Sequence, residues 1–195
     1  VVSDTGRELY QAWRLSRGEV LYRDVAHFNG PLSPYLDALW FRLSGVGFAQ
    51  QVLADLLVVV ALTALIVRGG RALTHRFTAT VAGLVFLCVF AFAPLTPGGS
   101  LGYLAPYSHE MTHGALLLLL LLACLAWDLR AGGRRPPLVT GLLLGLLFLT
   151  KPELWLAGAA CAGFAVLASR RLRAIGWVAL GAVLPPLAAW GLLAF

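Results

Sequence analysis

The stretch QVLADLLVVVALTALIV, Gln51–Val67, decides the fold class because it is almost long and apolar enough to cross a membrane by itself. A transmembrane helix needs about 20 predominantly apolar residues, and the sequence RGGR at Arg68–Arg71 ends this one. Similar apolar runs follow at Phe77–Ala93, Ser108–Trp127, Leu138–Leu149, Leu154–Ser169, and from about Ala174 to the end. The sequence therefore predicts an all-α, polytopic transmembrane helical bundle, with about six membrane segments in residues 49–195.

The composition agrees with this prediction. Of the 195 residues, 59% are hydrophobic and only 12% are charged, whereas soluble domains carry about 25% charged residues. The net charge of +6 comes from basic residues in loops between apolar runs, with little aromatic interleaving, so we expect no nucleic-acid partner. The chain begins at Val1 without a methionine and ends within an apolar run, which predicts a fragment of a longer protein.

The arginines predict how the segments are oriented. They cluster in three loops, at residues 68–76, 130–135 and 170–173. The segment PLTPGGSLGYLAPY, between the first two clusters, is uncharged. Cytoplasmic loops are enriched in Lys and Arg, so the clusters are predicted to lie in the cytoplasm. Residues 1–48, the loop around Gly98 and the TKPE turn at Thr150–Glu153 then share the exoplasmic face.

The TKPE turn joins two short apolar arms within residues 138–169. They form either a hairpin across a thin region or a re-entrant pair, and in both cases Lys151 lies at or slightly below the exoplasmic surface.

Residues 1–48 are predicted to form an exoplasmic loop rather than a span. TGRE fits a capping box with Thr5 as N-cap, which predicts a helix from about Gly6 to Arg17. Ser33 and Pro34 match the N-cap and first position of a second helix. Both helices are amphipathic, and we expect them to lie in the membrane interface.

The segment from Ser3 to Gly45 resembles the first exoplasmic loop of GT-C glycosyltransferases of the protein O-mannosyltransferase and aminoarabinose-transferase type, family 39. Those enzymes carry an Asp, often followed by Glu, after their first span. An amphipathic helix, a turn with glycine and a proline-rich stretch come next. Asp4 matches that catalytic Asp, SRGEVLYRD matches the turn, and Pro31 with Pro34 match the prolines. Thr5 stands where many relatives have Glu. From the residues alone, Asp4 is either this base or an acid that stabilises a helix start.

The resemblance implies inverting transfer of a sugar from a polyprenyl-phosphate carrier to a lipid, glycan or protein acceptor, on the periplasmic or extracellular face of an inner membrane. It implies Asp4 as catalytic base and Lys151 and Arg7 as ligands of the donor phosphate. The remaining residues of the predicted substrate pocket are Glu8, Asp24, Tyr103, Tyr107, His109 and Glu110. No metal ligand is assigned and no cofactor is implied, although a divalent metal is compatible with such a site.

HEMTH, at His109–His113, supports a different interpretation. His-Glu-x-x-His on a helix is the zinc-protease signature, which needs a third protein ligand and the Glu as base. No third ligand is evident in the sequence. An intramembrane metalloprotease is therefore an alternative, and a non-enzymatic transporter or scaffold is another, although transporters usually place polar breaks near the membrane midplane.

Overall fold

The computed structural model describes residues 3–92, 102–103, 108–130, 137–170 and 172–193, with side chains from Thr5 onward. Within these ranges the fold is helical, and the only β feature is a bridge between Leu21 and Val25. This confirms the predicted all-α class. The helices are α1 Ser3–Ser16, α2 Leu32–Ser44, α3 Phe48–Leu73, α4 Arg76–Val85 with a π-helical continuation Phe86–Ala91, α5 His109–Arg130, α6 Pro137–Phe148, α7 Pro152–Ala168 and α8 Ala174–Leu193.

Three of the described helices, α3, α5 and α8, are long and apolar enough to cross a membrane. The continuous α4–π segment, α6 and α7 are apolar but shorter. Large apolar side chains on these helices are exposed, for example Val60 at 65% and Trp190 at 71%, as expected of surfaces that face lipid. These helices are therefore compatible with an integral membrane protein.

The first compact unit comprises residues 1–27 and 33–116. Its loop helices are joined by buried apolar side chains, including Leu15, Leu21 and Phe41. Arg42 of α2 donates to the carbonyl oxygens of Leu15 and Ser16 at the end of α1, at 3.3 and 3.0 Å. These bonds satisfy carbonyl groups that a helix end leaves without partners, and they hold α1 against α2.

The capping box predicted at Thr5 is wrong, because α1 begins two residues earlier, at Ser3. Thr5 therefore lies inside the helix, where it is 8% exposed. Burial of this face, rather than the local capping pattern, determines where the helix runs.

The start of α2 also differs from the prediction. The helix begins at Leu32, so Ser33 is already within the first turn. Ser33 is fully buried, and its hydroxyl has no hydrogen-bond partner among the described residues. Pro34 is tolerated there because the first-turn N–H groups have no partner within the helix.

The π-helical segment Phe86–Ala91 was not predicted from the sequence. A π-turn widens the helix locally and rotates the residues that follow it. Ala91 at its end is fully buried and accepts a hydrogen bond from the backbone N–H of Tyr103, at 3.2 Å.

The second compact unit comprises residues 28–32 and 117–195. Its core contains Leu121, Leu144, Leu147 and Ala162. Helices α6 and α8 approach closely at Gly141, where an added Cβ would lie 2.2 Å from the carbonyl oxygen of Val178. Only glycine fits there, because a larger side chain would overlap the backbone of α8. Small residues at such positions let the backbones of membrane helices come together.

The short segment 28–32 pairs with the turn between α6 and α7. The N–H groups of Gly30 and Leu32 donate to the carbonyl oxygens of Thr150 and Leu149, at 2.9 and 3.0 Å. The NGP sequence at 29–31 and the TKPE turn therefore lie at the same end of this unit.

Candidate functional site

His109, the first residue of α5, is the centre of a buried polar cluster in the first unit. Its Nδ1 atom lies 3.4 Å from Asp37 Oδ2 and 3.6 Å from Glu8 Oε2. Its Nε2 atom lies 3.3 Å from Asp55 Oδ1. Three carboxylates from three helices thus surround one imidazole, and we call these four residues the carboxylate cluster.

Gln51 connects the members of the carboxylate cluster. Its Nε2 group donates to Asp37 Oδ1 at 3.4 Å and to Asp55 Oδ1 at 3.3 Å, and lies 3.1 Å from His109 Nε2. Gln51 and Asp55 share a face because they are four residues apart in α3. The same helix therefore supplies both the bridging amide and one of the carboxylates.

Burial makes this group of acids unusual. Glu8, Asp37 and Asp55 are between 3% and 4% exposed, and acidic side chains are rarely buried without partners. The pKa of Asp37 is raised to about 6, mainly because burial disfavours its charged form, while His109 and Gln51 act in the opposite direction. Arg7 lies 3.1 Å from Glu8 Oε1 at the edge of the cluster, with its side chain 45% exposed.

A second buried contact lies on the neighbouring residue of α5. Glu110 Oε1 is 3.0 Å from His27 Nε2, and the Ser108 hydroxyl donates a hydrogen bond to Glu110 Oε2. The Gln11 amide of α1 donates to the carbonyl oxygen of Ala26 at 3.0 Å. These contacts hold the loop before α2 against the start of α5.

Of the predicted site residues, the structure brings together Arg7, Glu8 and His109, whereas Glu110 contacts His27 and Ser108 instead. Asp4 is in the first turn of α1, but its side chain lies outside the described residues, as does all of Tyr107. Tyr103 packs its ring edge-on against Phe86, with ring centroids 5.2 Å apart.

Asp24 is exposed and is not a member of the carboxylate cluster. It accepts a hydrogen bond from the backbone N–H of Val20 at 2.9 Å and pairs with Arg23. The pKa of Asp24 is lowered, mainly by its hydrogen bond with Arg23. These contacts stabilise the turn between Val20 and Asp24.

Lys151 belongs to the second unit, where it occupies the N-cap position of α7 and is partly exposed. Its position directly after Thr150 puts it beside the contact between the TKPE turn and Gly30.

Asp37 and Asp55 are not among the site residues predicted from the sequence. A signal for Asp55 was present, because Gln51 and Asp55 are polar residues one helical turn apart in an apolar span, and such residues are usually functional. Asp37 had a weaker signal, as an acid in the otherwise largely apolar sequence YLDALWF. Neither pattern says that the two side chains meet at His109.

The HEMTH geometry does not resemble a zinc site. The rings of His109 and His113 are stacked, 6.2 Å apart and inclined by 28°, and both ring nitrogens of His109 face carboxylates or an amide. Glu110 is engaged by His27 and Ser108. Among the described residues, no three His, Cys, Asp or Glu side chains are arranged to hold a metal ion.

Comparisons of this chain with protein-family models, with curated proteins and with solved structures found no match.

Proposed function

We propose that this chain belongs to a membrane glycosyltransferase of the GT-C type. It would transfer a sugar from a polyprenyl-phosphate carrier to an acceptor at the membrane surface, with Asp4 as the catalytic base. The proposal rests on the resemblance of the first loop and on one structural observation, the buried carboxylate cluster.

The position of the carboxylate cluster favours chemistry near a membrane surface. His109 is the first residue of α5, and Asp55 is the eighth of α3, about 10 Å along the helix axis at 1.5 Å per residue. Both helices are candidate spans. Glu8 and Asp37 are supplied by the two loop helices. The cluster therefore lies near the starts of both candidate spans.

The cost of burying these acids supports a functional role. Ionised carboxylates lose hydration on burial, and a buried ion pair often contributes no net stability. Ionisable residues within membrane segments usually mark substrate or proton pathways. On this ground we assign the three carboxylates and the imidazole that they surround to the site.

The proposed reaction uses these residues in defined roles. A carboxylate accepts the proton of the acceptor hydroxyl or amine as the acceptor attacks the anomeric carbon. The bond from that carbon to the phosphate oxygen breaks with inversion, and polyprenyl phosphate leaves as an anion. Asp4 precedes Glu8 by one turn of α1, so the proposed base is on the same helix as a member of the cluster.

Positive charge is needed for the leaving phosphate. Arg7 is partly exposed at the edge of the cluster, which supports its proposed role as a ligand of the donor phosphate. Lys151 is the only lysine in the sequence, and the same role for it rests on the resemblance alone.

The experiment is transfer from a polyprenyl-phosphate sugar by the full-length protein in membranes, with donor binding measured separately. Asp4→Asn keeps the size of the side chain but removes the base, so transfer should fall by about 10²–10⁴-fold with donor binding intact. Asp128→Asn, near the opposite end of α5, is the control and should retain transfer. Normal turnover in Asp4→Asn would refute the assigned base.

A zinc analysis separates the proposal from the protease alternative. Under the glycosyltransferase proposal, His113→Ala should not remove a stoichiometric zinc from the purified full-length protein. One zinc per chain in the wild type, lost in this variant, would favour the protease.

A further inference from the structure

An open cavity of about 610 Å³ lies beside the turn between α7 and α8, in the second unit. Binding pockets for small ligands have volumes of about 300–1,000 Å³, so this one can hold a headgroup-sized molecule. Its lining residues are Pro137, Arg170, Leu172, Arg173, Ala174 and Trp177.

The charge of this cavity is positive. Arg170 and Arg173 both line it, and among the residues that the structure describes no acidic side chain does. Neither arginine takes part in an ion pair among the described residues. Guanidinium groups bind phosphate oxygens through paired hydrogen bonds, so two arginines on one cavity favour a phosphate-bearing ligand.

The surroundings of the cavity are those expected at the headgroup level of a bilayer. It lies between the end of apolar α7, at Ala168, and the start of the candidate span α8, at Ala174. Leu172 and Trp177 are exposed, at 61% and 56%. Tryptophan is enriched at membrane–water interfaces because its ring is apolar and its N–H is polar.

The adjoining surface is suited to acyl chains. Leu180 and Leu184 of α8 are 50% and 44% exposed, and they are one turn apart along the helix that leaves the cavity. A ligand with its phosphate at the arginines could lay a hydrocarbon chain along this side of α8. A free phosphate ion would gain nothing from that surface.

We propose that this cavity binds the headgroup of an anionic membrane phospholipid, with Arg170 and Arg173 on the phosphate and Trp177 beside it. Basic pockets at the ends of transmembrane helices are suited to such lipids. The proposed site is independent of the proposed glycosyltransferase activity, because none of its residues belongs to the carboxylate cluster.

The test is native mass spectrometry of the full-length protein with phosphatidylglycerol or phosphatidylcholine in detergent. We expect the wild type to retain phosphatidylglycerol in preference to phosphatidylcholine. The double variant Arg170→Gln and Arg173→Gln should lose about 30-fold in affinity for phosphatidylglycerol. The matched control, Arg68→Gln with Arg71→Gln at the end of α3, removes the same charge from exposed positions and should bind as the wild type does.

Three outcomes would overturn the proposal. One is an equal loss in both double variants, which would show general attraction to a basic protein. Another is equal retention of the two lipids by the wild type. The third is displacement of phosphatidylglycerol by millimolar inorganic phosphate, which would show a site for the free ion. Trp177→Ala keeps the charge, so it should weaken lipid retention less than the double variant does.

Discussion

The backbone N–H of Gly30 donates to the carbonyl oxygen of Thr150 at 2.9 Å, which joins the NGP segment to the TKPE turn. An added Cβ at Gly30 would lie 2.1 Å from the Leu149 carbonyl carbon, so the two backbones touch. Two stretches separated by about 120 residues of sequence are thereby held at one end of the second unit. The distribution of arginines predicts that both stretches are exoplasmic.

That relationship predicts the outcome of cysteine labelling in a protein without its native cysteines. Phe28→Cys and Glu153→Cys, at exposed positions, should both react with an impermeant thiol reagent added outside intact cells. Gly69→Cys, near the end of α3, should react only after permeabilisation because the arginine-rich loops are predicted to be cytoplasmic. Labelling of Gly69→Cys from outside would contradict the predicted orientation.

Removing the imidazole from the carboxylate cluster should be strongly destabilising. His109→Gln leaves three buried carboxylates without the group that they surround. Breaking a buried charged contact costs about 3–5 kcal/mol, measured as the free energy of unfolding in detergent micelles.

Two further variants test the cause of that loss. His75→Gln, at an exposed histidine, is the control and should change the free energy of unfolding by less than about 0.5 kcal/mol. Adding Asp37→Asn to His109→Gln should recover part of the loss, since one buried charge is then gone. A loss that is unaffected by Asp37→Asn would show that packing, not charge, is responsible.

Asp37 should make stability depend on pH in a definite direction. Its pKa is about 6 in the folded protein against an ordinary value of 3.8, and burial is the main cause. Between these values the folded chain keeps a proton that the unfolded chain has released, so the Asp37 contribution to stability falls as pH rises from about 4 to about 6. One proton corresponds to at most about 1.4 kcal/mol per pH unit.

Asp37→Asn removes this contribution, so unfolding free energy measured between about pH 4 and 6 should fall less steeply with pH than in the wild type. Asp24→Asn is the control. The pKa of Asp24 is lowered rather than raised, so its effect on the slope lies at lower pH. If the wild type and Asp37→Asn lose unfolding free energy with pH at the same rate, the raised pKa of Asp37 is contradicted.

The contact between α6 and α8 predicts a difference between two glycines. Gly141→Ala places a methyl group against the Val178 carbonyl and should destabilise the protein by about 1–3 kcal/mol. Gly163→Ala, in α7, meets nothing within 4 Å and should be neutral or stabilising by up to about 1 kcal/mol. Thermal unfolding of both variants in the same detergent measures this difference, and equal effects would contradict the observed packing.

The sequence by itself determined the helical class and the positions of the apolar segments. Length and hydropathy are local properties, so the predicted start of α8 at Ala174 is the observed one, and α6 and α7 begin within two residues of their predicted starts. Helix ends near buried polar residues were less predictable. At Thr5 and Ser33 the local capping preference is worth about 1 kcal/mol, and both helices begin before the predicted N-cap, at Ser3 and Leu32.

Only the tertiary structure decided which polar side chains meet. Glu8, Asp37, Asp55 and His109 are spread over about 100 residues of sequence, and no local pattern indicates that their side chains meet. Their convergence depends on how each helix is rotated about its axis and where it crosses its neighbours. Packing sets these quantities, and hydrophobic periodicity was weak in several segments because apolar residues occur on all sides of a membrane helix. The sequence therefore identified Glu8, His109 and Glu110 as candidate site residues, whereas the fold revealed Asp37 and Asp55 as neighbours of His109.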